Sequence, residues 1–323
     1  MGWQVLAAYI ADLICGDPAW LPHPVRLLGR VIAREEFWLD RWAKGRAARY
    51  MAGVFLAAST VGGAYFFSWL LLRAASGLNY WLGVILSAGM IFTTLAVRGL
   101  AEAAEDVYQA LEEGDLELAR KKLSLIVGRD TDNLPAAEVV RGTVETVAEN
   151  IVDAAVSPLF YAFIGGAPLA MAYRAVNTLD SMVGYRNEKY RFLGWASARL
   201  DDAANYIPAR ITGAFLLTAA ALQKKDWREA WRAMRRDAPA HPSPNSGIPE
   251  AAVAGALGIR LGGVNYYQGS PSCRGYLGRE VHSLEGRHIK EAVGLLRLTS
   301  ALAVLAGIIA WETAEILISN IGR

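Results

Sequence analysis

Along this chain, long uninterrupted apolar runs alternate with short segments dense in acids, amides and arginines. Residues 50–72 carry no charge, and neither do residues 79–97. Each run matches the ~20 apolar residues a helix needs to cross a bilayer. Residues 73–78 between them are few enough to be a turn, so 50–97 is read as a transmembrane hairpin. Arg26, Arg30, Arg34, Arg41, Lys44, Arg46 and Arg49 precede it, and Arg98 and Arg120-Lys121-Lys122 follow it. Cationic flanks stay on the cytoplasmic side, which places both ends of the hairpin there. Residues 5–15 are apolar apart from Asp12 and run into Gly16-Asp17-Pro18, so they read as a retained helix rather than a cleaved leader.

Beyond the hairpin the period becomes that of an amphipathic helix. Ala101, Ala104, Tyr108 and Leu111 share a face, Gly114 breaks the run and Asp115 is a cap for a second helix. Residues 98–150 are thus a cytoplasmic helical segment. Residues 151–176 are apolar again, but Gly165-Gly166-Ala167-Pro168 sits at their centre, which favours a re-entrant or buried helical hairpin over a single span. Residues 207–222 form a shorter apolar helix. After it, Trp227, Ala230, Trp231 and Met234 fall on one face among cations, as in a helix lying on anionic lipid or an amphipathic helix packed on protein. Polar loops and short helices fill 177–297, and a last hydrophobic segment, 298–321, is interrupted by Glu312 and Glu315. The expected fold is all-α: a polytopic integral membrane helical bundle with cytoplasmic helices and polar loops, forming one membrane-embedded domain over 1–323.

Composition agrees with a bilayer: 54% of residues are hydrophobic and 20% charged, against about 45–50% and about 25% in soluble domains. The net charge is +2, and no Lys/Arg tract interleaves with aromatics, so no nucleic-acid partner is expected. Cys15 and Cys273 and the four histidines form no zinc or disulfide pattern. Neither GxxxxGK[ST] nor a strand-borne GxGxxG occurs, and no nucleophile has a triad partner.

The candidate chemistry lies in the polar segments that abut hydrocarbon. A charge at mid-membrane costs ~2.5–3.5 kcal/mol, so such residues point to a site. Glu138, Arg141, Glu145, Glu149 and Asp153 follow helical spacing and form one stripe. Their mutual repulsion would be offset by a divalent cation or by guanidinium, and magnesium suits hard oxygen ligands. A second set comprises Arg174, Asn177 and Asp180, then residues 185–191, then 201–210, where Asn177 pairs by spacing with Asp180 and Asp201 with Asn205. Oxygens that hold a cation beside guanidiniums that clamp phosphate would serve a metal–phosphate substrate, and structural ion pairing is the competing reading. Residues 241–247 and 261–265 are loop signals whose amides could cradle an anion.

At these positions the chain resembles the adenosylcobinamide-phosphate synthase family, integral membrane proteins of cobalamin biosynthesis. The resemblance rests on Asp12 with Gly16-Asp17-Pro18, Pro22-His23-Pro24-Val25-Arg26, Gly128-Arg129-Asp130-Thr131, Val144-Glu145, Ala148-Glu149-Asn150, residues 177–185, Asp201-Asp202, residues 205–210 and Ser243-Pro244-Asn245. It implies an acid–amine ligase that joins adenosylcobyric acid, a corrinoid, to (R)-1-amino-2-propanol phosphate or the free amino alcohol, with ATP and Mg2+. Glu145, Glu149, Asp180 and Asp201 would be catalytic. Asp130, Glu145, Glu149, Asp153, Asp180 and Asp201 would supply metal oxygens. Asp17, His23, Arg129, Arg174, Asn177, Arg186, Asn205, Arg210, Ser243 and Asn245 would bind substrate or phosphate. The resemblance also implies a multi-pass protein of the cytoplasmic (inner) membrane, in contact with lipid, with its site facing the cytoplasm; it allows an oligomer. Two other readings are a polytopic magnesium-dependent prenyltransferase, since Asp201-Asp202-Ala203-Ala204-Asn205 resembles an aspartate-rich motif, and a transporter.

Overall fold

The apolar runs fold as helices. A computed structural model describes residues 2–16, 24–185 and 187–321. In chain order its helices are α1 (Gly2–Cys15), α2 (Pro24–Trp42), α3 (Arg46–Leu78), α4 (Tyr80–Phe92), α5 (Val97–Glu112), α6 (Leu116–Ser124), α7 (Ala136–Ile151), α8 (Ser157–Val183), α9 (Tyr190–Leu193), α10 (Trp195–Ala204), α11 (Tyr206–Leu222), α12 (Trp227–Asp237), α13 (Gly247–Leu257) and α14 (Arg287–Ile321). A π-turn, Val152–Val156, links α7 to α8, and strands β1 (Leu261–Tyr267) and β2 (Ser270–Leu277) precede α14. Among the described residues, the stretches long and apolar enough to cross a membrane are Arg46–Leu78, Tyr80–Glu112, Ala136–Val183 and Arg287–Asn320. The chain divides into two compact units: Met1–Ala96, Ser157–Asn205 and Val304–Arg323 form one, and Val97–Val156 and Tyr206–Ala303 form the other.

In the first unit Asn79 ends α3 and starts α4. Its N–H donates to Ala75 O at 2.9 Å, and its Oδ1 accepts from the amides of Trp81 and Leu82 at 2.8 and 3.2 Å. The helix α4 is shorter than its charge-free run: it has 13 residues, about 20 Å at 1.5 Å per residue. It stops where the hydroxyls of Thr93 and Thr94 bond back to Met90 O and Ile91 O at 2.8 and 2.7 Å. Ile32, Leu56, Ala57, Leu179 and Val183 bring α2, α3 and α8 to one buried cluster. The outer faces stay apolar, with Phe55, Phe66, Phe67 and Trp69 on α3 and Trp81 and Ile85 on α4 all exposed. Contiguous surface of that kind is what a membrane-facing helix presents.

The helix α8 is broken at its centre, where Gly165 and Gly166 have non-helical backbones and Gly166 lies at φ 66°, ψ −161°, a region essentially restricted to glycine. Tyr161 and Tyr173 would be about 18 Å apart along a straight helix, yet their rings stack at 5.1 Å. The chain therefore doubles back at the glycine pair.

In the second unit Asp115 caps α6 by accepting from the Leu118 amide at 2.8 Å. The helix α7 is buried on nearly every face, from Val139 through Ala148, and α13 is buried except at Ile248. Residues 261–277, whose start reads from sequence as a glycine loop, are instead an antiparallel hairpin with Tyr267 opposite Ser270. Its two-residue turn, Gln268-Gly269, has φ of 51° and 77°, the left-handed pair that matches strand twist. At Gly262 a Cβ would lie 2.2 Å from Gly275 O, so only glycine allows the strands to close there.

Candidate functional site

Helical spacing puts Glu138, Arg141 and Glu145 on one face of α7, and the second unit builds a buried ionic cluster on that face. Glu145 Oε2 pairs with Arg129 Nη2 at 2.6 Å and Oε1 with Arg141 Nη1 at 2.9 Å, while the Gly262 amide donates to Oε1 at 2.7 Å. Arg141 also pairs with Glu138 and donates to Gly262 O at 2.5 Å and to Asn265 Oδ1 at 2.9 Å. Arg129 reaches the same Asn265 oxygen at 2.9 Å. Two guanidiniums thus offset the repulsion between Glu138 and Glu145. These bonds tie α7, the 129 loop and β1 together.

Farther along α7, Glu149 is half-buried and accepts from Ser246 Oγ at 3.0 Å. The segment 241–246 that carries this serine folds on itself ahead of α13. Ser243 Oγ accepts from the amides of Asn245 and Ser246 at 3.3 and 3.2 Å, and Asn245 Oδ1 accepts from Arg210 Nη1 at 3.3 Å. Glu149, Arg210, Ser243 and Asn245 are therefore joined through one loop.

Sequence reasoning passed over three residues of the cluster. Glu250, in the first turn of α13, is fully buried, and its Oε1 lies 3.4 Å from His241 Nε2. Arg274 Nη1 lies 3.4 Å from the same ring nitrogen. Burial pushes the Glu250 carboxyl well above its ordinary range, and the negative Glu149 and Glu145 add to this. Burial, and then Arg274, pushes His241 below its ordinary value. Burial thus favours the neutral form of each group, the protonated carboxyl of Glu250 and the unprotonated ring of His241. The signal for Glu250 was available: it is a lone acid in the otherwise apolar run 248–257.

The remaining described candidates make contacts of their own. Asp130 is a turn anchor: its carboxylate accepts from the amides of Gln268 and Gly269 at 3.0 and 2.8 Å. Asp153 lies in the π-turn. In the first unit, buried Asn205 accepts from Ser157 Oγ at 2.6 Å and Tyr173 OH at 2.9 Å and donates to Asp201 Oδ2 at 3.1 Å. Arg174 donates to Asn177 at 3.3 Å on α8, one turn before Asp180. Asp17, His23 and Arg186 lie outside the described residues.

Among the described residues, no group of three or more His, Cys, Asp or Glu side chains is arranged to hold an ion. Glu145 and Asp130 are already engaged as above. Glu149 has oxygen lone pairs to offer, and a magnesium ion keeps waters and substrate phosphates as its other ligands.

The family model for the CobD/CbiB proteins matches residues 5–296. This chain belongs to the CobD/CbiB family. Family members named cobalamin biosynthesis protein CobD include one from Geobacter metallireducens, 48% identical over 304 residues that cover 94% of this chain and 95% of that one. Another is from Klebsiella pneumoniae, 46% identical over 96% of this chain and 98% of its own. A Salmonella typhimurium protein named cobalamin biosynthesis protein CbiB is 46% identical over 94% of this chain and 95% of its own. No solved structure matches. The CobD/CbiB match spans α7, the 241–246 loop, α13 and the β-hairpin, and so contains the whole buried cluster.

Proposed function

We propose that this protein works in cobalamin biosynthesis as an acid–amine ligase, joining the free propionate of adenosylcobyric acid to (R)-1-amino-2-propanol phosphate to give adenosylcobinamide phosphate. ATP, entering as its magnesium complex, would be a co-substrate. The reading places the enzyme in the cytoplasmic membrane, with its site open to the cytoplasm. Family membership supports the pathway. The observation that carries the reaction class is the Glu149 site: a half-buried carboxylate with one hydrogen bond, from Ser246, among the described residues, set beyond a buried arginine–glutamate cluster.

A carboxylate cannot expel oxide, so the acid must first be activated. Its oxygen attacks the γ-phosphorus of ATP, the bond to the β-phosphate oxygen breaks, and an acyl phosphate and ADP form. The ammonium of the amino alcohol gives a proton to a base, the freed amine attacks the acyl carbon, and phosphate leaves with the former carboxylate oxygen. One proton is released overall. In this scheme Glu149 is the base, Ser246 orients it, and the guanidiniums of Arg129 and Arg274 supply positive potential where phosphate charge builds up. Asp202 is paired with Arg199 at 3.3 Å and Asp201 with Asn205, so the motif behind the prenyltransferase reading is occupied by local contacts.

Oxygen-18 in the propionate of the corrinoid tests the scheme. Acyl phosphate activation transfers one labelled oxygen to inorganic phosphate, whereas label recovered on AMP, or absent from phosphate, would overturn it.

A further inference from the structure

The sequence sets α12 apart as an amphipathic helix with cations around two tryptophans, and the function proposed above makes no use of it. In the second unit α12 docks through its small residues: Ala230 and Ala233 are buried, and a Cβ on Gly255 of α13 would lie 2.7 Å from Ala230 Cα. That contact turns the large side chains outward. Trp227 and Trp231 are 44% and 45% exposed, and the guanidiniums of Arg228 and Arg235 sit over their rings at 5.4 and 5.7 Å. Tryptophan with arginine alongside is the composition of the membrane–water interface.

Beside α12 runs a groove of about 310 Å³ lined by Leu217, Trp231, Met234 and Ile248 together with Arg210 and Arg235. The two arginines differ from their neighbours. Arg232 and Arg236 are paired with Glu229 at 3.4 and 3.3 Å. Arg210 instead stacks on Tyr206 at 3.4 Å and bonds neutral oxygens, and Arg235 stacks on Trp231. Two guanidiniums with no acid paired to them among the described residues, next to an apolar trough, are complementary to a molecule with an anionic phosphate head and a hydrocarbon body. A second copy of this chain would bring the same arginines to the contact and be repelled.

We propose that the α11–α12 groove binds an anionic phospholipid, its phosphate held by Arg210 and Arg235 and the start of an acyl chain lying on Leu217, Met234 and Ile248. The proposal does not rest on the ligase reading, although Arg210 also bonds Asn245 in the loop that carries Ser246. It would hold the second unit at the bilayer surface through a specific lipid rather than through bulk hydrophobicity.

The test is native mass spectrometry of the full-length protein in detergent, titrated with phosphatidylglycerol, phosphatidylcholine or inorganic phosphate. Phosphatidylglycerol should give a discrete one-lipid adduct at lower concentration than phosphatidylcholine, and millimolar inorganic phosphate should not displace it. Arg235→Gln should weaken that adduct roughly fivefold and Arg235→Glu roughly 25-fold, the effect of one and two charges near an anionic headgroup. Trp231→Ala should weaken both lipids alike, and the melting temperature reports whether each variant is folded. Equal affinity for the two lipids, or Arg235 variants that fold and keep the wild-type affinity, would overturn the proposal. Displacement by inorganic phosphate would also overturn it, by showing a free-phosphate subsite instead.

Discussion

Replacing Glu145 by leucine removes the carboxylate that two buried guanidiniums share, so its cost measures whether the ionic cluster holds the second unit together. The side chains of Glu145, Arg129 and Arg141 are 4%, 7% and 6% exposed, so screening by water is small. Breaking a buried pair and leaving its partner charged costs about 3–5 kcal/mol, and here Arg129 loses its ion pair while Arg141 retains Glu138. Glu145→Leu is therefore expected at about 4 kcal/mol. Arg129→Met should cost less, about 2–3 kcal/mol, because Arg141 and the Gly262 amide still satisfy the carboxylate. The double variant removes both charges together. Contacting residues couple by about 0.5–3 kcal/mol, so its loss should fall at least about 1 kcal/mol short of the sum. The assay is equilibrium unfolding of the four proteins in one detergent. Losses that add to within about 0.5 kcal/mol would refute the shared-carboxylate argument.

Other expectations follow from the same geometry. Glu149→Gln keeps the shape and the Ser246 contact but not the basicity, so turnover should be lost while the melting temperature stays within about 2–4 °C of wild type; retained activity would remove Glu149 from the chemistry. Because Glu250 is raised in the fold, its share of stability is complete below about pH 4.3 and is lost as pH climbs towards its folded value. His241, lowered in the fold, contributes stability above about pH 6.5 that is lost as pH falls. The two slopes oppose each other where these windows overlap, above about pH 4.3 and below about pH 6.5. Glu250→Gln should therefore make stability rise more steeply with pH across that window than in wild type, and parallel pH curves would contradict this. Gly166→Ala puts a side chain at φ 66°, ψ −161° and should cost about 1–3 kcal/mol in thermal stability; no change would mean that the α8 turn is not held as described.

Hydropathy alone made the α3–α4 hairpin legible, because a charge-free run of about 20 residues has few other uses, whereas the stretches Ala136–Val183 and Arg287–Asn320 carry charges that blur the same pattern. The ends of the helices were less legible. The helix α4 stops at Phe92 because Thr93 and Thr94 satisfy the preceding carbonyls with their hydroxyls, a local competition that a hydropathy average does not register. The β-hairpin was missed because its turn is Gln268-Gly269 rather than Asn-Gly, and because Gly262-Gly263 reads as loop. Within the site, the spacing of Glu138, Arg141 and Glu145 showed that they share a face but not which partner neutralises it. That depended on Arg129 and Gly262, distant in sequence. Asp130 anchors a turn with oxygens of the kind that holding an ion would also use, so its sequence context alone did not show the turn contact. Glu250 and Arg274 lay in segments read for other features, and only tertiary contact joins them to His241.

The measurement closest to the central claim is direct turnover. The purified protein in detergent is mixed with adenosylcobyric acid, aminopropanol phosphate, ATP and magnesium, and the corrinoid is followed by mass spectrometry. The account predicts a mass gain equal to the amine minus water that requires ATP and disappears in Glu149→Gln. An unchanged corrinoid, in protein shown to be folded, would contradict it.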